Sequence, residues 1–190
     1  MSRAVPRRLL GGLGLVLAGC SSPEPDYYRL AMVPGMPRRM PPRAVEVRRV
    51  GLPGYLDRSE IMRAGPGTRL EALRNIRWGE GLGGMIGRVL AEDLAQRLPG
   101  CTVFNEAGSI ALTADATIET EIQRFEADQL GSVELAAQVA IRSGSSRPNA
   151  ARAFRVAAPV AGPGAAAVAD AMSAALGQLA DGIAAVLAPR

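Results

Sequence analysis

The 190 residues contain no histidine and no lysine, and all 22 basic side chains are arginine. Without histidine there is no Ser-His-Asp triad, no Cys-His pair and no histidine-ligated metal. Without lysine there is no Walker phosphate loop, and the glycines at 81, 83 and 84 also lack the apolar strand that precedes one. Aromatics are scarce, with one Trp, three Tyr and three Phe. They are spread along the chain without interleaved basic clusters, which disfavours stacking on nucleic acid. Cysteines number two, Cys20 and Cys101. The apolar stretch 9–18 near the start is broken by glycines and falls short of the roughly 20 residues a membrane-spanning helix needs.

That stretch has another meaning. Arg3, Arg7 and Arg8 precede it, and the small residues Ala18 and Gly19 follow it, which is the layout of a secretory leader with cleavage between Gly19 and Cys20. The tetrad Leu17-Ala18-Gly19-Cys20 resembles the lipobox of bacterial lipoproteins. The resemblance implies a diacylglycerol thioether on Cys20, cleavage before it and a further acyl chain on the new N-terminus. The covalent lipid anchor is the only non-protein group expected, with no cofactor and no metal. Several buried chains make membrane residence effectively permanent, because each methylene contributes about 0.8 kcal/mol. By the same resemblance, Ser21 rather than an aspartate after the cysteine implies export to the inner leaflet of the outer membrane, facing the periplasm. With Cys20 consumed by lipid, Cys101 has no disulfide partner and reads as a small buried hydrophobe.

About 170 residues follow the leader, enough for one domain with a core. The formal charge of +4 shrinks to +1 there, 19 arginines against 18 acids, so no polyanion partner is implied. The division is a signal peptide at 1–19, a flexible Ser/Pro/acidic tether at 20–26 and a single α+β domain at 27–190.

Periodicity then predicts the elements. Tyr27 to Leu30 is a short strand, and 34–42, with four prolines, Met36 and Met40, is a loop. Val45, Val47 and Val50 mark a half-buried strand. Ile61 to Arg63, a turn at 65–68 and a return through Leu70 and Leu73 make a hairpin. Residues 81–98 form an amphipathic helix stopped by Pro99-Gly100, its glycines implying close contact with sheet or partner. Trp78 caps the core or, as an amphipathic ring near an anchored membrane, meets headgroups. Alternation around Ile118 to Ile122, Val133 to Ile141 and Phe154 to Val160 predicts three consecutive strands in an antiparallel meander, and 165–187 is a second helix. Glu119 and Glu121 share a strand face, with Glu134 across from them, and are read as a solvated acidic face rather than a cation site. The expected fold class is α+β: an antiparallel β-sheet with two long amphipathic helices packed on one face.

Three pieces carry a resemblance in their order and spacing. They are Tyr27-Tyr28-Arg29-Leu30; Leu52-Pro53-Gly54-Tyr55-Leu56-Asp57-Arg58 with Ser59-Glu60-Ile61; and Arg77-Trp78-Gly79-Glu80 before the helix through Val89-Leu90-Ala91-Glu92-Asp93-Leu94-Ala95. Behind a lipobox they resemble the PqiC-like (YmbA-like) ABC-type transport auxiliary lipoproteins. The resemblance implies a non-enzymatic component beside a periplasm-spanning MCE-type phospholipid transport system, with MCE-domain and permease proteins as partners and a part in envelope integrity. A homo-oligomeric ring around such a conduit stays open. Candidate contact residues are Leu52, Pro53, Tyr55, Leu56, Asp57, Arg58 and Trp78, with the 34–42 loop as a further surface, since Tyr, Arg and Met are efficient contact residues. For Tyr55 and Leu56 core packing is an equal reading. The alternative function is a module that carries one lipid or apolar ligand between helix and sheet.

Overall fold

The computed structural model describes residues 24–39, 42–110, 112–144 and 149–188. The leader, Cys20 and the prediction of its lipidation lie outside them, as do Met40 and Pro41. The elements are β1 (Asp26–Tyr28), β2 (Ala44–Val47), β3 (Glu60–Ala64), β4 (Leu70–Trp78), α1 (Leu82–Arg97), β5 (Thr102–Asn105), β6 (Ala116–Ala127), β7 (Ser132–Ser143), β8 (Ala150–Pro159) and α2 (Gly164–Leu187).

β6 is the spine of the sheet. One edge pairs along its whole length with β7, which pairs in turn with β8, giving the antiparallel meander that the alternation predicts. The other edge is shared. β2 runs parallel to its start, Val45 to Val47 against Ala116 to Ile118, and β3 runs parallel to its end, Arg63 against Ala127. β5 continues the first branch and β4 with β1 the second. The sheet is therefore mixed. Its parallel pairs come from segments joined by long connections, to which the period-two pattern is blind.

Alternation sets the buried face. On β7, Val133, Leu135, Ala137, Val139 and Ile141 are all buried. Two irregularities keep the register of burial. A bulge between Ile122 and Arg124 puts both Ile122 and Phe125 inside. On β4 the left-handed Asn75 (φ 56°) plays the same part, so that Leu73, Ile76 and Trp78 all meet the core. The β6–β7 register also corrects the expectation for the acidic face: Glu134 lies opposite Glu126, near the turn, while Glu119 and Glu121 face Ala140 and Gln138, and Glu134 pairs with Arg124 at 2.9 Å.

Both helices cover this one face. α1 lies over the β2/β5 branch and α2 over β6 to β8, and the two pack on each other. Leu82, Met85, Ile86, Val89, Leu90 and Leu94 of α1 and Met172, Leu176, Leu179 and Ile183 of α2 are buried between them and the sheet. Among the described residues no helix is long and apolar enough to cross a membrane.

Candidate partner-contact surface

The candidate loop fills a gap in the sheet. Past Gly51, which bridges to Glu121, the chain leaves the β6 edge, and it does not return until β3. Residues 52–59 plug the opening. Their first residue packs on α1, where a methyl on Gly83 would lie 3.4 Å from Leu52 Cδ1; one turn on, β5 packs as closely, and a methyl on Gly87 would lie 2.8 Å from the Asn105 side-chain nitrogen. The glycines predicted to mark close contact do so at these two positions, whereas Gly84 faces open space.

Further along the loop Leu56 is buried in the core and its N–H donates to the Pro53 carbonyl at 2.9 Å. Tyr55, half-buried, donates its hydroxyl to Glu126 Oε2 at 2.5 Å, and Glu126, itself buried, accepts from Arg124 Nε at 2.7 Å. Burial first, and then the Glu126 carboxylate, hold the Tyr55 hydroxyl well above its ordinary range, so it stays a donor. Trp78 is 4% exposed and packs in the core, and its backbone N–H donates to the Ser59 carbonyl at 2.7 Å. What the loop offers outward is Asp57 and Arg58, both exposed and, among the described residues, without an ion-pair or side-chain hydrogen-bond partner.

The second candidate surface is a strap rather than a free linker. Val33 N–H donates to Asp93 Oδ1 at 2.7 Å, Ala31 N–H to Ser173 Oγ at 3.0 Å, and Arg38 N–H to the Arg97 carbonyl at 2.7 Å. Residues 30–38 thus cross both helices, with Met36 left exposed. The strap runs along α1 from Met85, whose Sδ accepts from Leu30 N–H at 2.9 Å, to Arg97, so its start and the 52–58 loop both meet the first turns of the helix while Met36 and Arg38 lie at its far end.

Sequence reasoning missed the knot under the strap. Arg97, 1% exposed, bonds Asp181 Oδ1 at 2.7 Å and the carbonyls of Val33 (2.9 Å), Asp93 (3.0 Å) and Gly177 (2.9 Å). Asp93 is fully buried, and among the described residues its Oδ2 has no hydrogen-bond partner. Burial pushes its carboxyl up to about 6, against the opposing pull of the Val33 N–H and the Arg97 guanidinium. The available signal was the helical stripe, since positions 86, 90, 93 and 97 fall on one side of α1.

Two hollows complete the surface. On the sheet face away from the helices a groove of about 560 Å³ is lined by Gly51, Glu119, Glu121, Gln138, Ala140 and Ala153. At the end of the sheet a pit of about 390 Å³ lies between α2 and the β3/β4 hairpin, lined by Leu73, Ile76, Val160 and Val168 with Arg63 and Arg74. Among the described residues no group of three or more His, Cys, Asp or Glu is placed to hold a metal ion.

Residues 28–184 match the family described as the ABC-type transport auxiliary lipoprotein component. The chain belongs to this family. The match covers the loop, the strap and both helices, as the PqiC-like resemblance implies. Among solved structures, an uncharacterized protein is similar over 87% of this chain and 100% of its own, at 19% identity and a TM-score of 0.74. A Xanthomonas campestris protein of the DUF330 family is similar over 84% and 92%, at 18% identity and a TM-score of 0.67. Both likenesses concern the fold. No curated protein matches the chain. As an auxiliary lipoprotein of an ABC-type transport system, the chain is a component of the cell envelope.

Proposed function

We propose that this auxiliary lipoprotein is a non-enzymatic docking subunit, held by acylated Cys20 at the inner leaflet of the outer membrane. There it receives the end of an MCE-type phospholipid conduit and so supports envelope integrity. In this reading residues 1–19 are removed, 20–26 are the tether and 27–190 form the docking body. The observation that carries it is the pinned 52–58 loop, which presents the side chains of Asp57 and Arg58 with no ion-pair or hydrogen-bond partner among the described residues. Ordering two adjacent opposite charges on a rigid loop costs conformational entropy and brings no ion pair in return among the described residues. It gives a partner a preorganised contact whose ordering entropy is already spent. Leu56 and Trp78 act from beneath as packing.

Arg58→Ala and Asp57→Ala should each reduce co-purification with the transporter about tenfold, the equivalent of roughly 1.4 kcal/mol. Both should leave unfolding within about 0.5 kcal/mol of the parent, as exposed substitutions do. Unchanged complex yield from the double variant would remove the loop from the interface.

A second reading, carriage of one apolar ligand, draws on the pit between α2 and the sheet. Its volume is at the lower end of the range of about 300–1,000 Å³ typical of ligand sites. Native mass spectrometry of Cys20→Ser protein separates the two: a retained phospholipid favours the carrier, an empty body the docking subunit.

A further inference from the structure

The end of the sheet that carries the pit has a second set of features. Three connections converge there: the β3–β4 turn at 65–69, the β6–β7 turn at 128–131 and the β8–α2 loop at 160–163. Ala64 pairs with Leu70, Arg63 with Ala127 and Ser132 with Pro159, and Val160 N–H donates to the Gly131 carbonyl at 2.8 Å. From this end Leu130 projects with 93% of its surface exposed, and Leu70 is 41% exposed. Leu130 is held out rather than left loose. Asp128 Oδ1 accepts from the N–H groups of Leu130 and Ser132, both at 2.8 Å, and Gly131 takes the left-handed conformation (φ 83°) that closes the turn. The same end carries Arg63 and Arg74, which line the pit with Asp128 and Gly131, and Arg69 in the β3–β4 turn. Glu71 is shared between Arg63 (2.7 Å) and Arg69 (3.5 Å), while Arg74 has no carboxylate partner among the described residues. The end thus joins a fixed exposed leucine to a surplus of guanidinium.

The direction of β1 says what this end faces. β1 runs parallel to β4, with Asp26 opposite Ile76 and Tyr28 opposite Trp78, so the chain enters β1 from the side of Leu70. Cys20 is six residues before Asp26, a reach of about 20 Å at full extension. Leu70 is six residues before Ile76, and because the irregularity of β4 sets Leu70 to Arg77 opposite only Ala64 to Glu60, it lies within about 13 Å along the strand, inside that reach. Gly144, past the far end of β7, lies more than roughly 30 Å from Asp26 by strand rise and spacing, beyond what the tether spans.

We propose that this end, with Leu130 at its tip and carrying Arg63, Arg69 and Arg74, is seated on the lipid surface, Leu130 entering the acyl boundary and the arginines meeting headgroup phosphates. The partner is a phospholipid bilayer, and the proposal rests on the lipidation of Cys20. Seating this end fixes which way the body stands: the sheet runs away from the membrane, and the far ends of β6 and β7 point into the periplasm.

The test uses the full lipidated chain with Cys101→Ala, labelled with an environment-sensitive fluorophore at Leu130→Cys or at Gly144→Cys. Both positions are exposed and leave the core untouched. The protein is incorporated in vesicles of phosphatidylethanolamine and phosphatidylglycerol, with and without a lipid-borne quencher. Quenching should be at least about two-fold stronger at position 130 than at 144, and Arg74→Glu should reduce it. Equal quenching at both positions, or none at 130 while the protein floats with the vesicles, would overturn the seating and leave the anchor standing. Absence of acyl mass on the purified chain would overturn both.

Discussion

Replacing Arg97 with methionine tests whether the knot under the strap holds the helices together. The substitution keeps an unbranched chain of similar length in a site 1% exposed, so packing changes little and polar contacts change most. Asp181, half-exposed, turns to water and contributes little to the deficit. The carbonyls of Val33 and Gly177 lose their donor, at about 1–3 kcal/mol for each that stays dry. Asp93, fully buried, loses its counter-charge, and breaking a buried pair this way costs about 3–5 kcal/mol. These terms overlap, so the expected loss is about 4 kcal/mol, a large share of the roughly 5–15 kcal/mol that holds a domain together. In urea, with a slope near 2 kcal/mol/M, the midpoint falls by about 2 M. The pH dependence separates lost charge from lost packing. In the parent the Asp93 carboxyl stands at about 6, above its ordinary value of 3.8, so the folded state binds that proton more tightly than the unfolded one. This group's contribution therefore falls as pH rises from about 4 to about 6 and is level above. Without Arg97 the carboxyl is pushed higher still, so the variant's deficit is greatest at pH 8 and smaller at pH 5, where Asp93 is protonated in both folded proteins. A deficit under about 1 kcal/mol, or one equal at pH 5 and pH 8, would refute the reasoning.

Two glycines of α1 should respond with opposite sign. Gly84→Ala, facing open space, should raise stability by up to about 1 kcal/mol. Gly87→Ala should lower it, because the new methyl would displace the Asn105 amide, whose oxygen holds the Ala107 N–H at 2.9 Å; thermal unfolding of the pair decides. Tyr55→Phe leaves Glu126 buried with one donor fewer, a loss of about 1–2 kcal/mol, and should speed amide exchange in 52–58 before it does so in α1. For Cys101, burial and then Asp115 push the thiol up to about 11, so alkylation at pH 7.5 should be far slower than for a free cysteine and should accelerate only on unfolding. Rapid labelling of the folded chain would contradict that environment.

Much of this architecture could be read before any coordinates. Alternation at Val133 to Ile141 and at Ile118 to Ile122, and the helical stripe from Leu82 to Leu98, are local patterns with one buried face each, so element type and inward residues follow from spacing. The loop residues were equally legible as a group, because Leu52 to Arg58 lie together in the chain. Their division of labour was not: Leu56 and Trp78 turn inward while Asp57 and Arg58 turn out, which depends on the gap left where β2 and β3 share one edge of β6. The fork itself, and the parallel pairings that build it, join segments far apart in sequence, and no local period encodes such a pairing.

The order of arginine, glutamate and apolar residues settled by itself that this chain forms strands, hairpins and two long helices around one apolar face, and that histidine and lysine chemistry is absent. Tertiary structure alone decided that Asp93 and Arg97 are interior, that the 30–38 segment is a strap, and that Leu130 shares with three arginines the end toward which the tether leads. The physical reason is the same in each case. Burial and charge pairing are properties of neighbours in space, and these neighbours are brought together from up to 142 residues apart.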